Sequence, residues 1–301
     1  MTSGSALLPA VFVLLWCTGY LVVPIAMPDA GPVRFLALRF GLAAVLLAAA
    51  ALALRAPWAR RAADYGHMAV VGLLLHAIGL GGVWVALDIG VETGVAALIM
   101  GTQPLITAAL AVGFIGERID RRAAAGLALG FLGVTLVIHR KLSGIGDPAG
   151  LAAVVVAVIS MTLGMLYQKR RCAHIDLVTS TTVQLSFAAV GAFTVAWWIG
   201  DRPVEWSVRI AATLGWSVLV LSIGATIVLY MLLRRGEASR VASLLYLVPP
   251  LTAVMAWIGF GERLAPLTIA GMVLTATGVA LVAGPGAPTP VPNRPARTPD
   301  P

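Results

Sequence analysis

Residues 113–119 read GFIGERI, and residues 259–265 read GFGERLA. Each closes a long apolar run with a glutamate and an arginine side by side. Val95–Ile138 can be laid on Val241–Ala283 with Ile115 as a single insertion, which gives 17 identities in 43 aligned pairs. They include Pro104 with Pro250, Glu117 with Glu262, Gly126 with Gly271 and Gly133 with Gly278. Leu, Val and Ala match often by chance in apolar helices; the shared proline, Gly-Phe and Gly-Glu-Arg do not. Upstream, LALRFGLAAV (36–45) aligns with TTVQLSFAAV (181–190), setting Arg39 against Gln184, and Trp84 falls against Tyr230. The chain therefore carries an internal duplication, the first thing to establish before any fold is assigned.

The duplication is written in apolar letters. Of 301 residues 59% are hydrophobic and only 11% charged, with a mean hydropathy of +0.94, whereas a soluble domain carries about 25% charged residues. Runs of about 18 or more apolar residues follow one another along the chain, the signature of membrane-spanning helices. The spacing predicts spans over 6–27, 33–54, 66–87, 93–115, 122–139, 149–168, 177–200, 208–233, 240–260 and 265–284. The joins MPDAGP (27–32), GIGDPAG (144–150) and GDRP (200–203) carry helix-ending chemistry. The first run has no Lys or Arg before it and is long enough to span, so it reads as a helix of the mature protein, not a cleaved signal. Residues 285–301 are proline-rich with no apolar face and are expected to be a disordered cytoplasmic tail.

A net charge of +8 and a pI near 10.3 do not point to nucleic acid. The basic residues stand in short clusters between apolar runs, with no soluble segment to present a basic groove. With a cytoplasmic N-terminus and ten spans, 14 Lys and Arg fall on the cytoplasmic side and 7 on the other. This bias places both termini inside. The expected fold is an all-α membrane protein of ten transmembrane helices, with one five-helix repeat over 1–143 and a second over 144–284. Five is odd, so two like units in series must sit in the membrane with opposite orientation. Such inverted-topology repeats are a common construction of secondary transporters, with substrate held near the midplane between them.

The residues resemble the ten-helix drug/metabolite transporter superfamily, specifically its EamA type. The resemblance is carried by LLWCTGY (14–20), ALRFGLAAVLL (37–47) and VALDIGVETGVAALIMGTQPLITAALAVGFIGERI (85–119). The second half contributes LYMLLRRGEASRVASLLYLVPPLTAVMAWIGFGERL (229–264) and a glycine-spaced last helix. It covers about residues 6–284 and implies a central cavity, cytoplasmic termini and export or exchange of small metabolites. Family substrates range over amino acids, nucleosides, sugars and drugs, so the resemblance fixes the class of function and leaves the substrate open. In the smallest cation-exporting relatives an acid in the first helix binds cation and proton; residues 6–27 contain no Asp or Glu, a departure from proton-coupled export of cationic drugs.

Polar and aromatic residues within the spans are the candidates for a substrate cavity. Arg39 stands near the start of its span, where a charge costs about 2.5–3.5 kcal/mol at the bilayer centre but can snorkel if shallow. It reads either as an interfacial anchor or as a cavity residue attracting an anionic group, with Gln184 at the matching place. Gln103 precedes Pro104 in GTQP, and the matching LVPP ends in Pro249 and Pro250. Proline removes a backbone donor, so these helices are expected to bend, either as packing kinks or as gating elements lining the cavity. Trp16, Tyr20, Trp84, Tyr230 and Tyr246 are candidate cavity aromatics, while Trp197, Trp198 and Trp206 fit an interfacial belt. His76 is the one histidine inside a helix, a proton relay or a packing residue. No two histidines have metal-binding spacing, and Cys17 and Cys172 read as buried free thiols. Gly126 with Gly130, and Gly271 with Thr275, read as close helix contacts.

No Walker loop, Gly-x-Ser-x-Gly, HExxH or paired intramembrane carboxylates occur, so no cofactor, metal or catalytic residue is expected and ATP does not drive the protein directly. The expected partners are a small-molecule substrate and the lipid bilayer of the plasma or inner membrane, with a proton or counter-substrate open, as monomer or homodimer. Competing readings are a drug efflux carrier, a membrane enzyme acting on lipid, and a non-transporting scaffold or sensor. Glu117 and Glu262 fall at helix ends, where charge costs little and a carboxylate can cap a helix or pair with arginine. They read as markers of the duplication, not transport acids.

Overall fold

The computed structural model describes residues 4–107, 110, 121–142, 148–225, 227–228, 248–262 and 266–283. The described residues are helical with connecting turns and contain no strand. In chain order the helices are α1 (Gly4–Ala26), α2 (Pro32–Ala53), α3 (Ala62–Asp88), α4 (Thr93–Thr107), α5 (Arg121–Leu142), α6 (Pro148–Arg171), α7 (Leu177–Trp198), α8 (Val208–Gly224), α9 (Val248–Phe260) and α10 (Pro266–Ala283). Counted over the described residues, four of them, α2, α3, α6 and α7, are long and apolar enough to cross a membrane.

The helix boundaries follow from local chemistry. Pro32, Pro148 and Pro266 open α2, α6 and α10, where a missing backbone donor is harmless and a fixed φ helps. Asp176 caps α7 by accepting from the Val178 and Thr179 amides at 3.0 and 3.1 Å. Ser207 caps α8 through the Ile210 amide at 3.2 Å. Two helices change winding midway: α3 is π-helical over Leu73–Leu80 and α8 over Trp216–Gly224. These stretches sit in helices five places apart along the chain. α4 breaks at Gly101 and Thr102 and resumes at residue 103, because Pro104 has no amide to continue the ladder.

Packing is led by α5 against α10, α2 against α7 and α3 against α6. In the first pair the backbones touch. A Cβ on Gly133 would stand 2.7 Å from the Gly271 carbonyl, and one on Gly278 would stand 2.5 Å from the Gly126 carbonyl. The Thr275 hydroxyl approaches the Gly130 carbonyl at 3.4 Å. Small residues thus bring these helices into contact, as the glycine spacing predicts. In the second pair's neighbourhood, Gly72 of α3 lies directly against the Gln184 backbone of α7.

The contacts obey a simple rule: exchanging each helix for the one five places along reproduces the main ones. α3 packs on α6 and α8 on α1; α3 on α7 and α8 on α2; α1 on α9 and α6 on α4; α4 on α9 maps onto itself. One core cluster joins α1, α2, α3, α7 and α8 around Phe35, Phe40, Trp84 and Leu221. A second joins α3, α4, α6, α9 and α10 around Val95, Leu98, Val154, Ala253 and Met272. The outer faces are apolar as well: Val45, Val190, Phe193, Ile258 and Val273 stay exposed. An aqueous protein does not carry a continuous apolar exterior, but a lipid-facing one does. The molecule is an all-helical membrane protein.

Candidate functional site

Arg39 lies on the eighth residue of α2, yet only 7% of it is exposed. Its Nε donates to the Ser222 hydroxyl of α8 at 3.2 Å. Ser222 in turn donates to the Ser217 carbonyl at 3.1 Å, five residues back in the π-helical stretch. The His76 ring, in the π-helical stretch of α3, is tilted against Phe40 at 5.7 Å and lies within electrostatic reach of the Arg39 charge. Arg39 and His76, singled out in the sequence, therefore come together, and Ser222 joins them from the other half. Gln184, the repeat partner of Arg39, is also buried, but its Nε2 donates to Ser180 of its own helix at 2.8 Å.

The remaining candidates are dispersed. Trp84 is fully buried and stacks on Phe35 at 4.9 Å. Tyr20 is half-buried between α1 and the second core cluster. Trp16 is 41% exposed, with Phe12 5.3 Å away. Gln103 donates to the Met165 sulfur at 2.8 Å. Pro104 follows the break in α4, whose Gly101 faces Pro249: a Cβ there would stand 2.8 Å from the Pro249 ring. Pro249 and Pro250 line a small apolar cleft with Leu98, Met272 and Val279. Tyr230, Tyr246 and Glu117 lie outside the described residues. No cluster of His, Cys, Asp or Glu suited to a metal occurs among the described residues.

At one end of the bundle four polar ties join the two halves. The Glu262 carboxylate accepts from the Thr93 amide at 3.1 Å, the Thr93 hydroxyl at 2.6 Å and the Gly94 amide at 3.4 Å. It caps α4, where Glu92 at the N-cap position supplies no capping hydrogen bond. Gly261 makes this reach possible: with φ at +68° it ends α9 in the left-handed region that favours glycine. Asp29 accepts from Ser207 at 2.9 Å and from Arg209 Nε at 2.8 Å. Arg202 pairs with Asp88 and also donates to the Met27 carbonyl at 3.2 Å. The Arg34 amide donates to Asp201 at 2.8 Å. Hydrogen bonds from Arg209, then from Ser207, hold the Asp29 carboxyl below its ordinary range. The sequence reading missed these pairs. A signal was present: on that face the acids Asp29 and Asp88 fall in the first half and the arginines Arg202 and Arg209 in the second.

An all-helical fold with an apolar exterior and a buried cation, Arg39, bonded from one helix to another defines a class, the integral membrane proteins. The EamA-like transporter family model matches residues 4–139 and again residues 148–284. The chain belongs to that family, within the drug/metabolite transporter superfamily; it is a transporter and not an enzyme. It is 28% identical over 289 residues to the probable amino-acid metabolite efflux pump of Escherichia coli strain K12, covering 93% of this chain and 94% of that protein. It is 26% identical over 280 residues to the uncharacterized transporter YvbV of Bacillus subtilis strain 168, covering 92% and 91%. A solved crystal structure shares the fold with a TM-score of 0.61 at 20% identity, over 94% of this chain and 97% of that one.

Proposed function

We propose that the protein is a secondary carrier that exports or exchanges small metabolites, amino acids or related compounds among them, by alternating access. Two inverted five-helix halves, ten spans in all, rock about a site near the midplane, with both termini cytoplasmic in the plasma or inner membrane. The observation that carries this reading is the exchange rule in the packing, with the largest helix contacts, α5–α10, α2–α7, α3–α6 and α3–α7, mirrored five helices along. Two equivalent halves in opposite orientation have two equivalent ways of closing, which is what alternating access needs. The double family match and the named activity of the E. coli relative support the same reading.

The cluster of ties at Asp29, Asp88, Asp201 and Glu262 serves as the closed gate of one face, the outer one by the Lys and Arg count. Arg39, His76, Gln184, Tyr20, Trp16, Trp84 and Gln103 belong to the substrate path, and Tyr230 and Tyr246 are assigned to it from sequence alone. Pro104, Pro249 and Pro250 mark the helices that bend as the gate opens. The energy comes from a proton or counter-substrate gradient. The test is flux in proteoliposomes holding correctly folded protein, across amino acids, nucleosides and cationic dyes. Saturable uptake of one class, accelerated by the same compound on the far side, is expected. Inactivity across the whole panel would overturn the reading.

A further inference from the structure

We propose that Arg39 is the recognition point for a single carboxylate on the transported molecule, so that this carrier handles carboxylate-bearing metabolites; the inference rests on the carrier reading above. α2 and α8 begin at the same end of the molecule, where the Gly31 amide meets the Arg202 carbonyl at 3.3 Å and Asp29 meets Arg209. Arg39 stands about 10 Å down α2, and its partner Ser222 about 20 Å down α8, at roughly 1.5 Å per residue. The guanidinium therefore reaches inward, toward the middle of the bilayer, and does not snorkel back to the nearer surface.

An arginine at that depth is costly unless its charge is met. Its Nε has Ser222, but the Nη edge makes no hydrogen bond and no carboxylate pairs with it among the described residues. The fold itself does not need a charge at this position. The equivalent place in the other half holds Gln184, which is equally buried and folds its amide back onto Ser180. A cation kept in one half and dispensed with in its twin points to a role outside folding.

The surroundings support a ligand site. The two π-helical stretches, Leu73–Leu80 and Trp216–Gly224, carry His76, which packs on Phe40 next to Arg39, and Ser222, which bonds Arg39 itself, and π-helical insertions are frequent at functional sites. Ser217, in the second stretch, has a buried hydroxyl with no hydrogen-bond partner among the described residues. The free edge of a guanidinium offers two parallel N–H groups that match the two oxygens of a carboxylate. One arginine balances one negative charge, which favours a carboxylate over a doubly charged phosphate.

The experiment measures binding and flux separately on the full chain. In detergent, thermal unfolding is followed with L-leucine and L-phenylalanine, their amides, isopentylamine, phenethylamine and inorganic phosphate; the same compounds are then tested in proteoliposomes. The expected result is stabilisation by the two amino acids alone, since a ligand that binds only the folded state raises its unfolding temperature. Arg39→Gln, which copies the solution at Gln184, should unfold at the unliganded wild-type temperature yet lose about tenfold or more of the apparent affinity. Arg39→Lys, which keeps the charge but not the fork, should recover part of it. Equal stabilisation by amides or amines, stronger stabilisation by phosphate, no stabilisation by any compound, or unchanged binding in Arg39→Gln would each overturn the proposal. So would failure of both variants to fold, which would make Arg39 structural. Carboxylate binding without flux would keep the Arg39 site and defeat the carrier reading; flux indifferent to the carboxylate would do the reverse.

Discussion

At the scale of single residues, placement decides what a charge does. Asp29 and Arg39 stand ten residues apart, but the first is in a loop with Arg209 and Ser207 as donors and the second is sealed among helices. Because Arg209 and Ser207 lower the Asp29 pKa, its ionised form is favoured in the folded protein. That contribution is fully present above the unfolded carboxyl value of about 3.9 and is lost only as pH falls through the lower folded value. The gap in unfolding temperature between wild type and Asp29→Asn should thus stay constant from pH 7 to about 5 and close only below about 4. Closure already at pH 6 would show that Asp29 does not hold its partner as described. Arg39 was visible in the sequence as an intramembrane charge; its partner Ser222 was not, because 183 residues separate the two.

At the scale of elements, glycines act through what faces them. A methyl group at Gly278 would meet the Gly130 amide nitrogen at 2.5 Å, and backbone cannot move aside as a side chain can. Gly278→Ala should therefore destabilise the protein by about 1–3 kcal/mol, read as a lower unfolding midpoint. Gly259→Ala, whose methyl meets nothing within 4 Å, is the matched control and should not lower the midpoint, since alanine favours a helix over glycine. The Glu262 cap makes a second claim about an element. Glu262→Ala leaves the start of α4 without its acceptor, at a cost of about 1–3 kcal/mol. The sensitive measurement is amide exchange at Thr93 and Gly94, which should speed up there and not at the far end of α4. The GFGERLA stretch announced a helix end and a capping carboxylate; that the capped helix belongs to the other half could only come from the packing.

At the scale of the whole molecule, the four ties share one property: each joins a residue of the first half to one of the second, and all lie at one end. If that end is the closed gate, locking it should stop the transport cycle. A cysteine pair at Asp88 and Arg202, bridged by a bis-methanethiosulfonate reagent long enough to replace the two side chains, should abolish flux, and reduction should restore it. Unchanged flux in the bridged protein would remove the gate from this face. The same double variant, reduced, should still fold, since exposed ion pairs contribute only about 0–1 kcal/mol.

The sequence alone determined the class of the protein. Missing charge demanded lipid, and the repeated proline, glycine and Gly-Glu-Arg positions revealed two like halves, both being properties of order and composition along the chain. It also identified the glycines that let α5 touch α10, because a helix fixes which residues share a face. Only the tertiary structure decided which groups meet across the halves. Arg39 with Ser222, Glu262 with Thr93 and Asp88 with Arg202 are set by how helices far apart in sequence lie side by side. No local periodicity encodes that. The matching of the two repeats fixed where such partners stand in the fold, and the packing fixed which of them touch.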